Sequence, residues 1–134
     1  MRFMVIGIAT KESEAGPPPE PEAFVAMQKY NEDLAKAGVL LAAEGLTASS
    51  QGVRVKFSGE ERTVFDGPFA ESKELVAGFT IIQVKSKEEA IEWVKRAPNV
   101  CPNGEGVVEI RKLMDVEDFG EGFTPNEEIA KVKY

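Results

Sequence analysis

Residues 76–98 read VAGFTIIQVKSKEEAIEWVKRAP, in which a strand pattern is followed by a helix pattern. The run 76–84 is apolar at both alternating sets of positions, which is typical of a strand buried on both faces. Ser86 and Glu89 form a capping-box pattern that predicts the start of a helix, and Pro98 predicts its end. The predicted buried stripe of this helix consists of Ala90, Trp93, Val94 and Ala97.

The N-terminal third has the same order of elements. Residues 2–9 again predict a strand that is apolar on both faces. Residues 22–37 then have a helical pattern that places Phe24, Met27 and Leu34 on one face. Gly38 is a typical helix terminator, and the apolar run 39–43 predicts the next strand.

A polar hairpin separates these two halves. Residues 53–58 alternate between apolar and polar side chains, which predicts a half-exposed strand. Gly59 and its neighbours predict the turn into a second strand at 63–65, and VVEIRKL (107–113) predicts the last strand. The order β-α-β, hairpin, β-α-β predicts an α+β fold, a ferredoxin-like split βαβ with an inserted β-hairpin.

The patterning also predicts a homodimer. Two helices cover one face of such a sheet, yet the strands at 2–9 and 76–84 are apolar on both faces. A second copy related by a twofold axis is the simplest cover for the other face. We expect one domain over residues 1–114 and a tail, 115–134, that packs on the domain or on its partner through Phe119 and Phe123.

Composition narrows the classes of partner and compartment. The net charge of −7 disfavours nucleic acid, and no apolar run approaches the length of a membrane helix. Cys101 is the only cysteine, and the N-terminal MRFMVIGIA lacks the pattern of a signal peptide, so we expect a cytoplasmic protein. No residue pattern predicts a metal site or a cofactor.

The sequence contains no histidine. This excludes Ser–His and Cys–His nucleophile pairs, histidine metal sites and the commonest general base near neutral pH. An enzyme built on this chain would have to use carboxylates, tyrosine or lysine.

The tetrad Asp66-Gly67-Pro68-Phe69 carries a family resemblance. The run 66–98, together with 30–46 and 52–57, resembles the DGPF domain family, a branch of the YCII-related proteins. The resemblance implies a ferredoxin-like fold that dimerises into an α/β barrel. Some relatives are associated with alternative sigma factors, and some members of the wider group resemble small lyases or dehydrochlorinases that use a histidine–aspartate pair. This chain has no histidine to pair with Asp66.

Asp66 has two possible roles. Its carboxylate is suited to accept hydrogen bonds from the backbone N–H groups of the Gly67–Phe69 turn, and we expect this structural role first. In the second role it lies at the mouth of a cleft as an acid, a base or a ligand anchor. Phe69 is expected to enter the core.

The candidate site contains further residues. Tyr30 lies at the margin of its helix's apolar face, and Arg54 is suited to hold an anionic group. The family resemblance adds Glu44, Glu71 and Lys73. The candidate catalytic residues are Asp66 and Tyr30; the candidate ligand-binding residues are Asp66, Tyr30, Glu44, Arg54, Glu71 and Lys73.

Two functions therefore stay open. The first is a homodimeric small-molecule-binding or regulatory module without covalent chemistry. The second is a lyase- or isomerase-like enzyme in which Asp66 works with Tyr30 or a nearby carboxylate. Convergence of Asp66, Tyr30 and Glu44 on one pocket would distinguish them.

Overall fold

The computed structural model describes residues 1–16, 19–70, 74–101 and 103–120. These residues form a mixed α+β structure, as predicted. In chain order the elements are β1 (Arg2–Ile8), α1 (Lys11–Ala15), α2 (Pro21–Lys36), β2 (Leu40–Gly45), β3 (Val53–Ser58), β4 (Glu61–Asp66), β5 (Val76–Gln83), α3 (Lys87–Lys95) and β6 (Val108–Lys112). Short 3₁₀ turns span Ser49–Gln51 and Val116–Phe119.

The main sheet has four strands in the order β2-β5-β1-β6, and each neighbouring pair is antiparallel. This order, with α2 and α3 as the connections, is consistent with a ferredoxin-like α+β fold. Strands β3 and β4 form a separate two-stranded antiparallel sheet. The predicted hairpin insertion is therefore confirmed.

The core lies between one face of the main sheet and the two longer helices. Phe3 of β1 is paired with Ile82 of β5, and both side chains are buried. Helix α2 contributes Leu34 to this cluster and α3 contributes Ala90. Removal of this apolar surface from water is the main stabilising term for the fold.

The opposite face of the sheet is also apolar. Because side chains alternate along a strand, the neighbours of Phe3 and Ile82 point away from the helices. Met4 is paired with Ile81, and Ile6 with Phe79, across β1 and β5. Ile81 is buried and the other three are half-buried. The predicted two-sided apolar character of these strands is confirmed.

The ends of the helices follow the predicted signals closely. Gly38 has a φ of 76° and ends α2. The Ser86 hydroxyl oxygen accepts a hydrogen bond from the Glu89 N–H at 3.1 Å, as the capping pattern predicted. The Glu89 carboxylate, however, does not accept from the Ser86 N–H as in a capping box. It accepts from the N–H of Lys85 at 2.9 Å. The cap therefore includes the residue before the predicted start.

Two predictions of burial are wrong in the single chain. Phe24, expected on the buried face of α2, is 58% exposed, whereas Leu34 is 1% exposed. Ten residues of helix rise by about 15 Å, so the first turns of α2 extend beyond the core cluster. The hairpin strand β3, expected to be half-exposed, is exposed at every residue, and it belongs to a two-stranded sheet separate from the main one.

The segment after β6 turns back toward the sheet. Lys112 Nζ lies 2.8 Å from a carboxylate oxygen of Asp118 and 3.3 Å from one of Asp115. Arg2 of β1 lies 3.8 Å from Asp115. Phe119 is about half exposed, Phe123 lies outside the described residues, and the packing of the tail stays a prediction.

None of the helices in the described ranges combines the length and the apolar character that a membrane crossing requires.

Candidate functional site

An open groove lies between the β3–β4 hairpin and the Asp66–Phe69 tetrad. Its volume is about 660 Å³, within the usual range for small-molecule sites. Hairpin and tetrad are continuous in sequence, since β4 ends at Asp66. The groove is lined by Arg54, Val55, Lys56, Phe65, Asp66, Pro68, Phe69 and Ala70.

The tetrad is held by the turn that precedes β3. The Gly67 N–H donates to the Gly52 carbonyl at 2.9 Å, and the Phe69 N–H donates to the Ser49 hydroxyl oxygen at 3.0 Å. The Gly52 N–H in turn donates to the Ser49 carbonyl at 2.9 Å. The tetrad is therefore fixed to this turn by one backbone–backbone hydrogen bond and by one hydrogen bond to a side-chain hydroxyl.

Helix α1 secures this turn from the other side. Glu14 accepts from the Ser49 N–H at 3.0 Å through one carboxylate oxygen, and the Ser49 hydroxyl donates to the other. Ser49 thus donates to Glu14 while it accepts from Phe69. A second cavity of about 360 Å³ adjoins this connection, and Arg54 and Phe69 line both cavities.

The expected structural role of Asp66 is wrong. Proline has no N–H, so the turn has two N–H donors, and Gly52 and Ser49 accept from both. Within the ranges that the structure describes, the Asp66 carboxylate makes no hydrogen bond or ion pair, and the residue is exposed. Two acceptors, 15 and 20 residues before their donors in the chain, take the place of the local Asx-turn. The carboxylate is consequently available to the groove.

Phe69 also differs from its prediction. It is partly buried but does not belong to the core cluster. Its ring lies under the guanidinium of Arg54, with 3.9 Å between Arg54 Cζ and the ring centroid. This cation–π contact holds one face of the guanidinium against the tetrad.

Tyr30 lies in another part of the molecule. Its hydroxyl donates to the backbone carbonyl of Trp93 in α3 at 2.6 Å. Burial raises the pKa of Tyr30, and the nearby charge of Arg96 opposes this only in part. The hydroxyl therefore stays protonated at neutral pH, and it links α2 to α3.

The other candidates are divided between sites. Glu44 is an exposed residue of β2 whose strand partner is Phe79 of β5. Neither Glu44 nor Tyr30 lines the groove, so Asp66, Tyr30 and Glu44 do not converge on it within one chain. Glu71 and Lys73 lie outside the described residues. Of the four candidates within the described residues, the groove brings together Arg54 and Asp66.

Sequence reasoning missed Glu14 and Ser49. Their contact joins residues 35 positions apart, in segments that look like an ordinary charged run and a polar turn. No local sequence pattern predicts such a contact, because its geometry depends on how α1 packs beside the turn that contains Ser49.

The comparisons with known proteins identify a family. A model of the YCII-related domain matches residues 1–117. An uncharacterized protein of Rhizobium meliloti (strain 1021) is 35% identical over 78 residues, which is 58% of this chain. The matched part spans 62% of the length of that relative.

Proposed function

The chain belongs to the YCII-related family, and on that premise we propose that it is a homodimeric small-molecule-binding or regulatory module. The proposed binding site is the groove between the hairpin and the tetrad. The observation that carries this proposal is the Asp66 carboxylate, which lines the groove and has no partner within the described part of the chain.

Substitution of Asp66 tests ligand binding separately from folding. Because its carboxylate holds no backbone donor, Asp66→Ala should change the free energy of unfolding by no more than about 0.5 kcal/mol, as is usual at surface positions. The same variant should lose the thermal stabilisation that a bound metabolite confers on the wild type. A ligand at 100 times its Kd stabilises the native state by about 2.7 kcal/mol.

The measurement is a thermal-shift screen of a metabolite panel, run in parallel on the wild type and on Asp66→Ala. Glu61→Ala, at the other end of β4, is the matched control and should behave like the wild type. If the same compounds stabilise wild type and Asp66→Ala equally, the binding site lies outside the groove.

The dimer is proposed from the second apolar face of the sheet. Ile6 and Phe79 form a cross-strand pair on this face, while the core helices pack on the other. Apolar patches larger than a few hundred Å² are unusual on monomers and mark interaction surfaces. Two such faces packed about a twofold axis would produce the expected dimeric α/β barrel.

We expect the wild type to have the mass of a dimer by light scattering at micromolar concentration. A lysine side chain at the centre of the face would be buried without a partner, so Ile6→Lys should give a folded monomer. Phe24→Lys places the same charge on an exposed apolar site of α2 and should leave the dimer intact. A wild-type monomer at this concentration would disprove the proposal.

A further inference from the structure

We infer that the groove recognises an aromatic carboxylate. This inference rests on the proposed function, and it names the class of ligand by the charge and the surface that the groove presents. Three features carry it: two cations on one side of the hairpin, an arginine held flat by an aromatic ring, and apolar side chains in the lining around that arginine.

The cations are Arg54 and Lys56. They are two positions apart on β3, so their side chains leave the same face of the strand about 6.7 Å apart. Neither makes a side-chain hydrogen bond or ion pair with any described residue, although acidic side chains outnumber basic ones and the net charge is −7. Both line the groove together with the Asp66 carboxylate, so its charged lining sums to +1 and favours an anion beside the two cations.

Arg54 is oriented for a planar anionic group. The Phe69 ring covers one face of its guanidinium, which leaves the N–H edges free. These edges match both oxygens of a carboxylate and form two parallel charge-assisted hydrogen bonds. Because the stacked ring limits the rotamers of Arg54, less side-chain entropy is lost when the anion binds.

The walls determine what the anion is attached to. Phe65 is the cross-strand partner of Arg54 on the hairpin and is 48% exposed, and Pro68 and Phe69 of the tetrad also line the groove. A flat apolar ring between these side chains would bury their surface and gain aromatic contacts. Inorganic phosphate would leave the walls in water, and the overall acidity of the chain opposes a polyanion such as nucleic acid.

The test is isothermal titration calorimetry of the full chain with naphthalene-2-carboxylate. The uncharged isostere naphthalene-2-carboxamide should bind about tenfold more weakly or worse, since it cannot form the charge-assisted pair. Arg54→Lys keeps the charge but loses the two parallel N–H donors of the guanidinium, and it should also weaken binding of the carboxylate about tenfold. Lys85→Ala, an exposed lysine outside the groove, is the control and should leave the affinity unchanged.

Each outcome separates the inference from the proposed function. Equal affinity for the carboxylate and the carboxamide would overturn the inference, and so would equal affinity for the carboxylate in wild type and Arg54→Lys. Tighter binding of inorganic phosphate or of a thymidine oligonucleotide than of the carboxylate would also overturn it. In each of these cases a metabolite whose stabilisation depends on Asp66 would still support the proposed binding function.

Discussion

Gly67→Ala is expected to open the tetrad and to abolish ligand binding in the groove. A Cβ at this position would overlap the carbonyl oxygen of Ser49 and lie 2.7 Å from its carbonyl carbon. That carbonyl cannot easily move, because it accepts the Gly52 N–H at 2.9 Å. Overpacking of this kind costs about 1–3 kcal/mol, and here the obstacle is backbone rather than a flexible side chain. Glycine is required at position 67 because the Ser49 carbonyl leaves no room for a Cβ.

Hydrogen exchange measures this effect at the affected amides. We expect the amides of residues 67 and 69 to lose protection in Gly67→Ala, since their acceptors are Gly52 and Ser49. Gly52→Ala is the matched control in the same turn: its Cβ would lie 3.5 Å from the Ser49 carbonyl oxygen, an ordinary contact, in extended backbone. Unchanged protection in Gly67→Ala would mean that the tetrad does not rest on this turn.

Leu34→Ala should give a large loss of global stability. Leu34 is 1% exposed and is one of the two largest fully buried side chains in the described ranges. Truncation of a buried leucine removes its transfer free energy and leaves a cavity, at a cost of about 2–5 kcal/mol. Urea denaturation should show a lower midpoint with an unchanged slope.

The matched control for this prediction is Phe24→Ala on the same helix. Phe24 is 58% exposed, so its truncation should cost about 0.5 kcal/mol or less despite the larger side chain. Equal losses for the two variants would show that the first turns of α2 are covered, either in the core or by another chain.

The groove could be predicted only in part from the sequence. Arg54 was identified because a cation alternates with apolar residues on a strand, and Asp66 because an aspartate before Gly-Pro suits a turn and begins the tetrad that carries the family resemblance. Both line the groove. Tyr30 was identified by the same kind of local pattern, but its hydroxyl donates to Trp93 between two helices. A tyrosine at the margin of a helix's apolar face is expected to be partly buried, but the pattern does not show which residue accepts its hydroxyl hydrogen bond.

The role of Asp66 shows why local reasoning failed at the tetrad. An Asx-turn is the nearest way to satisfy the turn amides, and it requires only adjacent residues. In the structure, Ser49 and Gly52 accept these hydrogen bonds, and Glu14 holds Ser49 in place. Those partners become available only after α1 and the 49–52 turn have packed together.

The periodicity of the sequence by itself determined the order of the strands and of helices α2 and α3, the inserted hairpin and the apolar character of both sheet faces, but it did not predict the short helix α1. Period-2 and period-3.6 patterns report which side of an element avoids water, and this preference is local to the element. Only the tertiary structure decided that Phe24 is exposed, that Arg54 stacks on Phe69 and that the Asp66 carboxylate is free of the turn. Each of these depends on the distance between segments far apart in sequence, and that distance is set by how whole elements pack.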